Sequence, residues 1–212
     1  MEKRHRIFIA INLPEEVKRG LFLYSEKFSE LPAKWTDKDN LHITLEFLGA
    51  LTDEEIGEVC VIVKEVAGRH ESFSLNLNKI LYGPPNPPSH KASEGQGKIP
   101  KMVWAEGEKS KELDNLKKDL QEVLLEKIRF MPAPLSGAIG TLSVPHITLA
   151  RISSWAFKQI EPEERPEINE TIDLVFTVES IDVMESVLKP ASRQGGRGGP
   201  VYEILESHNF KN

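Results

Sequence analysis

The tetrapeptide His-Ile-Thr-Leu occurs twice, as His42 to Leu45 and as His146 to Leu149, 104 residues apart in a chain of 212. Side chains alternate across a β-strand, so the His and Thr of each copy share one face while Ile and Leu take the other. Each copy therefore presents an imidazole and a hydroxyl from a strand whose back is apolar. Two such strands facing one cleft place two imidazoles across a substrate. One neutral imidazole can accept a proton from water while one cationic imidazole gives a proton to a leaving oxygen, and the threonine hydroxyls can donate to phosphoryl oxygens. One such histidine by itself reads as an ordinary core or surface residue; the repeated tetrapeptide is what sets these two apart. A metal is a poorer reading. Zinc takes three or four N, S or carboxylate ligands. Glu46 lies four residues from His42, about 13 Å along a strand, and the second copy has no carboxylate.

The elements that must position these groups are legible around them. Arg6 to Asn12 is an apolar run that reads as a strand, and Pro14 opens a helix over Glu15 to Ser29 with acidic residues in its first turn. Thr52 with Glu55 forms a capping-box pattern for a helix to about Gly68. Phe73 to Tyr82 alternates as a strand, Lys101 to Gly107 is another, and Ser110 to Phe130 has apolar residues at helical spacing, stopped by Pro132 and Pro134. The second motif strand runs from about Leu142 to Arg151, and Pro145 within it predicts an edge or an irregularity. Ser154 to Pro166 is a broken helical stretch. Thr171 to Leu188 is too long for one straight strand and predicts a bend or bulge, and Val201 to Leu205 is the last strand.

Several residues stay open between two readings. Trp35 is either a stacking surface for an RNA base or a hydrophobic plug, and Trp104 belongs to core or cleft. Lys3, Arg4 and Arg6 read as a solvated basic terminus. Arg151 is five positions from His146, so an ideal strand turns it away; it reaches a phosphate only if the strand ends or bulges near Ala150. Gly83 to Pro100, rich in Pro, Gly and Ser, reads as a flexible excursion with His90 solvated on it. Pro190 to Pro200 reads as a flexible hairpin carrying Arg193 and Arg197, without the strand–turn–helix setting of a dinucleotide site.

Composition sets bounds. Net charge is −6, which disfavours gripping long nucleic acid, since that takes many Lys and Arg on phosphates; a small phosphate-bearing end remains compatible. Cys60 is the single cysteine, so there is no disulfide framework, and core packing is its expected role. No signal peptide or membrane span is read from the sequence, and a cytoplasmic location is the expectation.

Beyond the two motifs, RIFIAINLP near the start, Trp35 ahead of NLHITLEFLG, VWAEGE, PHITLAR and the closing FTVESIDVMESVL…GPVYEIL follow in one order. In these segments the chain resembles the 2H phosphoesterase superfamily, and within it the prokaryotic RNA 2′,3′-cyclic phosphodiesterases, also called 2′-5′ RNA ligases, over nearly its whole length. The resemblance implies an α+β fold, a single domain over 1–212 of two intimately packed lobes with pseudo-symmetric antiparallel sheets, outer helices and a central cleft. It implies metal- and cofactor-independent opening of a 2′,3′-cyclic phosphate at an RNA 3′ end to a 2′-phosphate. His42 is the implied proton donor and His146 the acceptor, with Thr44, Thr148 and Arg151 on the phosphate. The motifs themselves are chemically symmetric and do not tell donor from acceptor. Alternatives within the resemblance are 2′-5′ ligation and hydrolysis of a small cyclic nucleotide such as an ADP-ribose cyclic phosphate; outside it, a non-catalytic RNA-end binding module.

Overall fold

Strand β1 (His5–Asn12) shows what the alternating sequence builds: Ile7, Ile9 and Ile11 point into the main core, while Phe8 and Ala10 form a smaller cluster on the other face with Met184. The computed structural model describes residues 2–84, 99–128, 144–189 and 199–211. After β1 come helix α1 (Glu15–Lys27), strands β2 (Ala33–Trp35) and β3 (His42–Leu51), helix α2 (Asp53–Ala67), strands β4 (Phe73–Gly83) and β5 (Met102–Gly107), and helix α3 (Lys111–Lys127). Strand β6 (His146–Ile152), the short helix α4 (Ser154–Lys158), a 3-10 turn (Pro162–Glu164), and strands β7 (Asn169–Val178), β8 (Ser180–Lys189) and β9 (Gly199–Asn209) complete it. The expected caps form: Thr52 Oγ1 accepts from Glu55 N–H at 3.3 Å and Glu55 accepts from Thr52 N–H at 2.7 Å.

The strands make two antiparallel sheets, one of order β3-β1-β8-β9 and one of order β2-β6-β5-β4-β7. A contiguous core draws on both, with Ile9 of β1, Leu77 of β4 and Ile147 of β6, and is covered by Val59 and Val63 of α2 and Leu116 and Leu120 of α3. Each fully buried aliphatic side chain contributes roughly 1.5–3 kcal/mol, so the two motif strands are held by their apolar backs.

Some expectations are corrected. The sheets interleave along the chain, with β1 and β3 in one and β2 in the other. A central strand needs a hydrogen-bonding partner on each edge; β3 supplies one to β1, and the chain returns with β8 to supply the other. The long apolar stretch from Thr171 does not merely bend: β7 ends at Val178, β8 starts at Ser180, and the two belong to different sheets. β6 lies between β2 and β5 rather than at an edge. Pro145 stands just ahead of it, and its carbonyl accepts from Gly107 N–H at 2.9 Å. The expected excursion, apart from its ends, lies outside the described residues, as do His90, the stop at Pro132 and Pro134, the strand start at Leu142, and Arg193 and Arg197. Among the described residues, no helix is long and apolar enough to cross a membrane.

Candidate active site

The two motif strands carry the same irregularity at the same place. On β3, Glu46 pairs with Ile9 and Thr44 with Ala10, leaving Leu45 as an extra residue. On β6, Ala150 pairs with Val103 and Thr148 with Trp104, leaving Leu149 extra. Each bulge flips the side-chain parity beyond it. The fifth residue after each histidine, Phe47 on β3 and Arg151 on β6, thereby joins the His/Thr face, and both line the same cleft. This answers the parity problem of Arg151. Thr36 pins the second bulge: its N–H donates to Leu149 O at 2.8 Å and its hydroxyl to Thr148 O at 2.9 Å. Glu46, in the position corresponding to Ala150, is fully buried and accepts from Gln121 Nε2 at 2.9 Å. Among the described residues no group of three or more His, Cys, Asp or Glu is arranged to hold a metal ion.

The cleft, about 350 Å³, lies between the sheets and brings together His42, Thr44, His146, Thr148 and Arg151. The imidazoles are held alike. His42 Nδ1 lies 2.7 Å from Asn40 O and His146 Nδ1 lies 3.4 Å from Val144 O, in each case the carbonyl two residues upstream. A carbonyl only accepts, so Nδ1 carries the proton and Nε2 is the nitrogen left for chemistry. His42 Nε2 meets Thr44 Oγ1 at 2.9 Å. Burial pushes the pKa of His42 down, opposed by the Asn40 carbonyl and reinforced by Lys18 and His146. Burial likewise pushes His146 down, opposed by the Val144 carbonyl and by Glu106 and reinforced by Lys117.

The surroundings of the two rings differ. His42 sits between Phe8, at 5.0 Å between centroids, and Tyr202, edge-on at 5.1 Å. His146 is stacked on Trp104 at 4.1 Å and 25°. Gly83 makes room for that indole, since a Cβ there would stand 2.2 Å from Trp104 Cδ2. Trp104 thus belongs to the site, whereas Trp35 packs against the main core and takes the plug reading. Asn40 is a residue the sequence reading missed. It is buried, its Nδ2 donates to Pro200 O at 2.8 Å, and its Oδ1 accepts from Tyr202 N–H at 3.0 Å. Asn40, the last residue of a 3-10 turn over Lys38–Asn40, thus orients the His42 ring through its carbonyl and ties down β9 through its side chain. The basic terminus also divides: Arg4 donates to Ala50 O and faces Glu55, but Arg6 lines the cleft.

Comparison with known proteins matches residues 11–90, which include the first motif, to the family described as LigT like phosphoesterase. The RNA 2′,3′-cyclic phosphodiesterase of Methanocaldococcus jannaschii is 26% identical over 202 residues, 95% of this chain and 98% of that protein. The RNA 2′,3′-cyclic phosphodiesterase of Thermotoga maritima is 26% identical over 212 residues, 97% of this chain and 96% of that protein. Among solved structures, TT0787 of Thermus thermophilus superposes with a TM-score of 0.72 at 27% identity, covering 97% of both chains. E. coli LigT complexed with phosphate shares the fold, with a TM-score of 0.63 at 22% identity over 99% of each chain.

Proposed function

We propose that this chain is a LigT-like phosphoesterase, the family its residues 11–90 match, and that its cleft opens 2′,3′-cyclic phosphates at RNA 3′ ends, the activity named for its relatives. The observation that carries this reading is the pair of equally bulged strands facing one cleft, each offering an Nε2 and a hydroxyl. The cyclic phosphate lies between them, its non-bridging oxygens taking hydrogen bonds from Thr44, Thr148 and the Arg151 guanidinium. His146 Nε2 removes a proton from water as the water oxygen bonds to phosphorus. The P–O3′ bond breaks, and the electron pair left on O3′ takes the proton carried by His42 Nε2. The product is a 2′-phosphate with a free 3′-hydroxyl; one proton has entered at His146 and one has left at His42, and solvent resets both.

The surroundings support this division of labour. The Trp104 face over His146 attracts the ring as it turns cationic. The site asks for acid, base and charge stabilisation within its own side chains, without a metal or cofactor. The partner in this reading is an RNA 3′ end, and the setting is the reducing cytoplasm, where Cys60 stays a thiol, pushed up to about 12 by burial and Glu206.

The test is turnover of an oligoribonucleotide ending in a 2′,3′-cyclic phosphate, in EDTA, with the wild type, His42→Ala and His146→Ala. We expect each substitution to cost 10²- to 10⁴-fold, roughly the range of general acid–base catalysis, and a product phosphate at the 2′ position. Turnover that needs a divalent ion, or that survives either substitution, rules this mechanism out.

A further inference from the structure

We propose that Arg6 forms a subsite for the phosphate on the 5′ side of the terminal nucleoside, so that the enzyme distinguishes an RNA end from a lone cyclic nucleotide. The inference rests on the cyclic-phosphate reading above. On β1, Ala10, Phe8 and Arg6 share the face turned away from the main core, Phe8 and Arg6 lining the cleft, and their partners on β3 are Thr44, Phe47 and Ala50 in turn. Moving along the floor from the paired histidines, one meets hydroxyl and imidazole, then an aromatic patch of Phe8 and Phe47 with centroids 6.1 Å apart, then the guanidinium. An RNA 3′ end has the same order: cyclic phosphate, nucleoside, 5′ phosphate. Ala10 to Arg6 is four residues, about 13 Å of strand, less the reach of the arginine side chain. That is the scale of one nucleoside.

The charge of Arg6 has no other use among the described residues. The neighbouring His5 and Arg4 already have acidic partners. His5 Nδ1 lies 2.7 Å from Glu185, His5 Nε2 lies 3.2 Å from Asp53, and Arg4 faces Glu55 at 3.7 Å. Arg6 has no ion pair or hydrogen bond to a described residue and is exposed to the cleft, with Ser186 beside it as a further polar lining group. In a chain of net charge −6, an unpaired cation at one end of a cleft concentrates a local positive field where an anionic chain must enter.

Three substrates sharing one 3′ nucleoside test this: the nucleoside 2′,3′-cyclic phosphate with a 5′-hydroxyl, its 5′-phosphorylated form, and the dinucleotide. We expect kcat/KM about tenfold higher for the two that carry a 5′ phosphate, the scale of one charge-assisted contact, expressed mainly in KM and weakened by salt. Arg6→Gln brings the three values together, and Arg6→Lys retains part of the preference. A wild type without preference, a preference unchanged in Arg6→Gln, or a preference for the dinucleotide alone overturns the subsite while leaving the cyclic-phosphate reading standing. No turnover of any of the three overturns both.

Discussion

Replacing Asn40 by Ala removes two hydrogen bonds at once, to Pro200 O and from Tyr202 N–H, and leaves both partners against a methyl group. Each such bond contributes about 0.5–1.5 kcal/mol net, so the pair amounts to about 2 kcal/mol. In a protein of this size that lowers Tm by about 4–8 °C. The effect on turnover has a different origin. The Asn40 carbonyl that orients His42 remains, but the loop carrying it loses its tie to β9, and so does Tyr202, whose ring edge packs on the imidazole at 5.1 Å. Displacement of a proton-transfer group by the order of 1 Å costs about 10²-fold, and we expect kcat to fall by between ten- and a hundredfold. Asn40→Asp separates position from charge. It keeps the acceptor for Tyr202 N–H, loses the donor to Pro200 O, and sets a carboxylate near His42, which favours the imidazolium. Its pH–rate limb for His42 should therefore move to higher pH, while that of Asn40→Ala stays near wild type. Thermal melts and kcat–pH profiles on both variants decide the matter. An Asn40→Ala protein with wild-type Tm and kcat would refute the clamp.

Two further outcomes follow from the site. Burial lowers both imidazole pKa values in the free protein, so the window in which one is protonated and the other neutral lies on the acid side of about 6.5, the ordinary histidine value. The kcat/KM bell should centre there. A bound phosphodiester anion favours both imidazolium forms, so the kcat bell should sit at higher pH; coincident bells, or a kcat/KM optimum well above 6.5, would contradict this. Gly83→Ala drives a methyl to 2.2 Å from the Trp104 ring that backs His146. We expect roughly 1–3 kcal/mol of destabilisation with a loss of kcat, read by denaturant melts and turnover; wild-type values in both would mean the indole does not hold the histidine.

What the sequence made legible was local. Alternation, caps and helical spacing locate most elements within a few residues, and the Thr52–Glu55 box forms as its pattern says. Longer-range pairing was not legible. Residues 171–188 keep one strand-like character throughout, yet the chain changes sheet at Glu179, because a period of two does not encode which neighbour a strand will find. The bulges at Leu45 and Leu149 were likewise hidden, since Leu suits either a regular or a bulged position; Arg151 could not be placed without them. Arg6 looked like a charged terminus because three cations in four residues resemble solvated chain, and only the pairing of β1, which begins at His5, separates it from Arg4. Asn40 and Trp104 act through partners far along the chain, Pro200 with Tyr202 and His146, which no local pattern announces.

The interleaving of the sheets has a consequence for how the protein is made. The five-stranded sheet has all its strands once β7 is synthesised, but the four-stranded one still lacks β8 and β9. Until they emerge, β1 has one bare edge, Tyr202 does not yet wall His42, and Asn40 has neither Pro200 nor Tyr202 to hold. The cleft is thus the last part of the molecule to close. A nascent chain that has made β7 but not β8 and β9 carries both histidines without Tyr202 beside His42 or the partners of Asn40, so in the function proposed above activity waits for these two strands.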